Sequence, residues 1–328
     1  MSPFKIAHAL TAAFVLVLGA VVTPPTHAAE ETSSLPDGGV FVTLQGVDGV
    51  SALAQPDARW PAGGQMTYVA VSPDGDRVMA SSSAENTVYA YDGSGKSLGR
   101  IEVGEVPKGI KFGRDGRRAF AANEGSGTVS VIDVDSLEVT ATIDVGPTPH
   151  STITSPENTR LYVAIQGGTT VAVVDLDSLE TVADLPAGDG PHNMDIAPDG
   201  SRLYVANVVS EDLSVIDLES SEEIKRIPLG PPHYGVDVTP DGALVFVTGI
   251  AGDMVTAIDT DSLEVAKQIP VGQGPHGVRT SADGTRAYVA VSETNTVEVI
   301  DVGALTLGKP IKPGEGTTPF WIAVQGNM

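Results

Sequence analysis

The sequence predicts an all-β, seven-bladed propeller with four antiparallel strands per blade. Three observations carry this. A unit of about 42 residues recurs along the chain. Each unit holds four short β-prone runs parted by turn residues. The two ends of the chain each hold a fragment of a further unit. A fixed period of 40–45 residues with four strands per unit is the signature of propeller blades.

The period is read from three markers. The first turn of most units carries Asp-Gly, beginning at Asp74, Asp115, Asp199, Asp241 and Asp283, with Glu157 in the odd unit. The second strand reads Leu-Tyr-Val-Ala from Leu161 and Leu203, and Ala-Tyr-Val-Ala from Ala287. The third strand ends at Asp92, Asp133, Asp175, Asp217, Asp259 and Asp301, which are 41 or 42 residues apart. Asp-Gly supplies the positive-φ residue that a tight hairpin needs. In the Asp-Ser-Leu-Glu stretches (135–138, 177–180, 261–264) Asp or Ser is expected to cap the turn. Val, Ile, Leu and Tyr alternate along the second and third strands. That suits a sheet sandwiched between two neighbours, because one isolated sheet buries neither face.

Six complete units begin near Thr67, Lys108, His150, His192, Tyr234 and His276. Residues 36–45 read as a unit starting at its first turn, and residues 319–325 as a unit stopping after its first strand. Joined, they make the seventh blade. The tail supplies its innermost strand and the head its outer three, which leaves no open sheet edge.

These repeats resemble the YVTN repeats of bacterial and archaeal extracytoplasmic propellers. The resemblance lies in Tyr204-Val-Ala-Asn207, Val215-Ile-Asp217 and the Val-Gly-x-x-Pro joins, and spans about residues 36–325. It implies the fold. The related propellers it implies are diverse: lactonases, the haem d1 domain of nitrite reductases, the copper-cluster domain of nitrous oxide reductases and cell-surface proteins.

Composition narrows the function classes. The formal net charge is -23. Such a surface repels phosphate backbones, so nucleic acid is not an expected partner. The chain has no cysteine. That excludes disulfides, iron–sulfur clusters, covalent c-type haem and thiolate zinc sites. Residues 1–29 read as a cleaved signal peptide. Lys5 precedes the apolar run Ala9–Val22, and a small-residue end follows at Thr26-His-Ala-Ala29. Residues 30–36 read as a disordered lead-in and residues 37–328 as the propeller. The expected location is therefore periplasmic or secreted, and no membrane span is expected in the mature chain.

Chemistry is expected where the joins between blades reach the central channel, on one face of the ring. Beyond the signal region the histidines are His150, His192, His233 and His276, each following a proline at such a join. Imidazole suits a transition metal such as zinc, copper or iron, so these four form a candidate metal site. A gap-free count back from Asp-Gly places Tyr234, rather than His233, at the shared position. Thr67, Lys108 and Phe320 hold it in the remaining blades. Asp195 and Asp237 match three residues further on. They are expected either to orient the imidazoles or to bond the neighbouring blade. Turns on the same face carry Glu85, Glu124, Gln166, Glu211, Asp253 and Glu293 among others, an acidic rim. Phe320 and Trp321 are expected to pack at the closing strand.

Some motifs fail on context. Gly95-Lys-Ser-Leu-Gly99 lies in a hairpin turn, not a nucleophile elbow. Gly93-Ser-Gly-Lys-Ser97 is followed by no helix, so it is not a phosphate loop. A strand follows Gly272-Gln-Gly-Pro-His-Gly277, so it is not a dinucleotide fingerprint. Two functions follow. One is a binding or scaffold module that presents its top face and channel to a protein, polysaccharide or small ligand. The other is a metalloprotein or metalloenzyme, hydrolytic, lyase-like or redox, built on the histidines.

Overall fold

The computed structural model describes residues 39–46, 48–56, 58–230, 233–314 and 316–327. The proposed signal peptide and lead-in lie outside the described residues.

Seven four-stranded antiparallel sheets are present among these residues. Blade one is the composite one: its inner strand Thr318–Val324 is followed outward by Val40–Gln45, Gly49–Ala52 and Arg59–Pro61. The tail and head strands run antiparallel, with Phe41 opposite Ala323 and Val42 opposite Ile322. Blades two to seven follow in chain order. Their inner strands are Met66–Val71, Pro107–Phe112, Pro149–Thr154, Pro191–Ile196, His233–Val238 and Pro275–Thr280. No helix is long and apolar enough to cross a membrane among the described residues.

Period-two patterning is what holds the ring together. In blade four Leu161, Val163, Ala172 and Val174 join a core cluster with Phe120, Val129 and Val131 of blade three. The intervening Tyr162, Ala164, Val171 and Val173 join Met194, Ile196, Leu203 and Val205 of blade five. Successive side chains point to opposite faces of a strand, so one strand pair feeds two cores.

The sequence markers each have a structural job. In the first turns a residue with positive φ is required. Gly116 supplies it at 69°, and in the odd unit Asn158 does so at 58°. The strand-ending aspartates cap the next turn: Asp133 Oδ1 accepts the Ser136 N–H at 2.8 Å, and Asp217 Oδ1 accepts that of Ser220 at 2.8 Å. The cap is thus the strand-ending carboxylate rather than Asp135, and Ser136 and Ser220 give it their hydroxyls as well. These amide bonds hold both carboxyls below their usual range. Arginines that open second strands reach to the next blade. Arg118 Nη1 donates to the Leu176 carbonyl at 2.8 Å and Arg202 Nη1 to that of Thr260 at 2.7 Å.

Candidate functional site

The seven inner strands stand side by side around the channel, so one repeat position makes one ring of side chains. Two positions carry the chemistry. The second residue of the inner strand, the third in blade one, lies near the join and forms the upper mouth. The fifth lies lower and forms the waist.

At the upper mouth the register settles which residues are equivalent. Pro149 and Pro191 pair with the last residue of the second strand, and in blade six His233 does the same, opposite Gly249. His233 therefore takes the prolines' position, and its side chain lies outside the described residues. The shared position reads Phe320, Thr67, Lys108, His150, His192, Tyr234 and His276 around the ring. Five consecutive blades thus carry rings: His150, His192, Tyr234, His276 and Phe320. Each touches the next, with centroids 3.7, 4.7, 5.8 and 4.3 Å apart. The collar is closed across the mouth by Tyr68 from blade two. Tyr68 contacts His150 at 5.7 Å and Trp321 at 4.3 Å.

Under this collar runs a buried hydrogen-bond chain. Glu124, in a turn of blade three, meets His150 Nδ1 at 3.1 Å. A carboxylate only accepts, so that nitrogen carries the proton. His150 Nε2 then accepts from the Tyr68 hydroxyl at 2.9 Å. The Asn193 amide donates to the Tyr68 oxygen at 3.1 Å and to His192 Nδ1 at 2.8 Å. Burial pushes the pKa of both imidazoles down, so both are neutral at pH 7. The His150 N–H, with Lys108 near, holds the Glu124 carboxyl below its usual range. His276 is pushed down to about 4 by burial alone.

This geometry bears on metal binding. Both nitrogens of His150 are engaged, and Tyr234 stands where a fourth imidazole was expected. Among the described residues no group of three or more His, Cys, Asp or Glu is arranged to hold a metal ion.

Asp195 and Asp237 lie at the waist and bond the neighbouring blade. Asp195 Oδ2 accepts the Val238 N–H at 2.8 Å, and Asp237 Oδ2 accepts the Thr280 N–H at 2.6 Å. No bond from either to an imidazole occurs among the described residues. Buried bonds to a charged acceptor contribute about 1.5–3 kcal/mol each, so these two fasten blades five, six and seven. The same repeat position holds Lys111 in blade three and Arg279 in blade seven. Neither was singled out from the sequence, although the alignment that matches the two aspartates also matches these two cations. Arg279 Nη1 lies 3.5 Å from Asp237 Oδ1 and donates to the Val236 carbonyl at 2.8 Å. Its guanidinium also sits 5.5 Å from the Trp321 ring centre. Asn327, from the tail, bonds Asp237 at 3.2 Å and the Thr280 carbonyl at 2.8 Å. Burial pushes Asp237 up to about 7, with Arg279 working against it. Burial and the nearby Arg279 charge bring Lys111 down to about 8.

Fold and site together define a seven-bladed β-propeller with a ringed upper mouth and a charged waist. The comparisons with known proteins agree with that class. A family model described as a YNCE-like beta-propeller matches residues 202–286. The chain is similar to a Kuenenia stuttgartiensis hydrazine synthase structure, with a TM-score of 0.72 and 22% identity over 80% of this chain and 90% of that one. It is also similar to the structure titled dihydro-heme d1 dehydrogenase NirN in complex with DHE, with a TM-score of 0.66 and 20% identity over 88% of this chain and 75% of that one. At such identities the likeness establishes the fold. No curated protein matches the sequence.

Proposed function

We propose that the protein is an extracytoplasmic binding or scaffold propeller that receives its partner at the upper mouth. The observation that carries this reading is the collar. Clustered rings on a rigid frame are the usual anchors of a recognition surface. Tyr234, His276 and Phe320 are only half-buried and present themselves at the mouth, while His150 and His192 behind them are buried. Loops that carry acids flank the collar, so a partner with a ring or apolar group at its centre and a basic periphery fits best. The export proposal rests on residues 1–29. Mass spectrometry of the protein from the periplasm or medium tests it, with a mature N-terminus near Ala28 or Ala29 expected.

Photocrosslinking in the native host tests the binding reading. A photoreactive residue at Val209, in an upper turn, is expected to give a discrete adduct that disappears with Tyr234→Ala. One at Glu157, in a lower turn, is expected to give none. An adduct from 157 alone overturns the reading.

A metal at the imidazoles is the second proposal, favoured by the 3.7 Å approach of the His150 and His192 rings. It requires Tyr68 or Glu124 to release His150. Elemental analysis after loading with zinc, copper or iron decides it. Retention of bound metal after His150→Ala and His192→Ala removes this proposal.

A further inference from the structure

We infer that the waist of the channel is a binding site for a compact monovalent anion, a halide or a small planar oxyanion, held by Lys111, Arg279 and the hydroxyl of Ser151. This does not rest on the reading of the upper mouth.

Four observations converge on one place. First, Lys111 makes no hydrogen bond or ion pair within 4 Å among the described residues, although it lines an internal cavity. Lys111 is half-buried, and an ammonium that gives up part of its hydration without gaining a partner favours an anion beside it. Second, Ser151 is 6% exposed, its Oγ has no hydrogen-bond partner, and it lines the same cavity. Buried hydroxyls almost always have a partner, so an empty one marks a place where something binds. Third, the carboxylates nearby are already committed. Asp195 is tied to the Val238 amide, and Asp237 to the Thr280 amide, Asn327 and Arg279. Fourth, Arg279 lines the same cavity and adds a second cation to its wall. Two cations, Lys111 and Arg279, thus line this cavity with no carboxylate among its lining residues, in a protein whose net charge is -23.

The cavity has room for a small ligand. Its volume is about 30 Å³, which holds one or two waters. A chloride, bromide, formate or nitrate ion is of that scale. Tyr68 and Trp321 line the same cavity beside the two cations.

The test measures thermal unfolding and calorimetric binding of the whole protein. Chloride, bromide, formate and nitrate are compared with sulfate at constant ionic strength, balanced by gluconate. The expected result is a saturable rise in Tm with a Kd tighter than about 10 mM for the monovalent ions. Sulfate is expected to give no such rise. Bromide-soaked crystals are expected to show an anomalous peak between Lys111 and Ser151. Lys111→Met, similar in length and uncharged, is expected to abolish the anion dependence while folding in gluconate. Ser151→Ala is expected to weaken binding by about tenfold, the loss of one hydrogen bond to a charge. The inference is overturned by an unsaturable effect shared equally with sulfate, which is surface screening. It is equally overturned by binding unchanged in both variants, or by an anomalous peak elsewhere. Should Lys111→Met fail to fold, Ser151→Ala and the bromide position decide alone.

Discussion

The upper mouth and the waist are built from the same seven strands, three residues apart, and they solve burial in opposite ways. At the mouth, imidazoles are kept neutral and wired through Tyr68 and Asn193, so no net charge is buried beneath the collar. At the waist, ionisable groups are carried inward and tied across blades, Asp237 beside Arg279 and Asp195 to the Val238 amide. The repeat fixes the backbone and leaves each ring of side chains free to diverge. A propeller can therefore carry two chemistries on one axis.

Variants that break one level at a time sharpen this contrast. The largest effect is expected at the waist. Arg279→Met leaves the buried Asp237 without its cation, and loss of one partner of a buried pair costs about 3 kcal/mol or more. Tm from calorimetry is expected to fall by roughly 6–10 °C. A fall of only a degree or two means that Asp237 is neutral and the waist is not a charge-balanced level. At the mouth the expected loss is smaller. Tyr68→Phe removes one hydroxyl shared between His150 and Asn193, which costs about 1–2 kcal/mol. A loss as great as that of Arg279→Met contradicts the ordering.

The two levels also answer acid in opposite senses. The imidazoles have folded pKa values below 6.5, so their contribution is full above pH 6.5 and is lost as pH falls toward about 4. Asp237 has a folded pKa raised from 3.8 to about 7, so its contribution is full below pH 3.8 and is lost as pH rises through 7. Tm measured from pH 7 to 4 is expected to fall less steeply in His276→Phe, which keeps the contact with Phe320. It is expected to fall more steeply in Asp237→Asn, which removes the opposing contribution. Parallel curves for both variants and the parent contradict the assignment. The smallest effect is expected at Val209, which is 67% exposed on an upper turn. Val209→Ser is expected to change stability by less than about 0.5 kcal/mol, so any loss of partner binding there reports recognition.

The wheel was legible because its markers are local. A strand-ending aspartate caps its own turn, and Asp-Gly bends its own hairpin, so both recur at the blade period whatever the neighbours do. The closing blade was legible because 36–45 and 319–325 are complementary fragments of one unit. The equivalence of Tyr234 with the histidines came from the same count. Less was legible where side chains cross the channel. Nothing in the repeat tells that Tyr68, one residue past the shared position, spans to His150, or that Glu124 of blade three bonds a histidine of blade four. Lys111 and Arg279 were visible as residues at the position of Asp195 and Asp237. Their meaning depends on distance across the ring, which a linear period does not contain.

The way the ring is fastened has a temporal consequence. Thr43 and Trp321 share backbone-to-hydroxyl bonds across 278 positions of chain. A polypeptide emerging from a ribosome or translocon must hold one edge of its first strand unpaired until nearly all the rest has been delivered. Contacts of such long range slow folding, and a waiting edge strand invites pairing with other chains. Truncation just before the tail strand would therefore expose the inner edge of Val40–Gln45 and convert a closed ring into a molecule primed for self-association, a liability that a holdase acting during delivery would suppress.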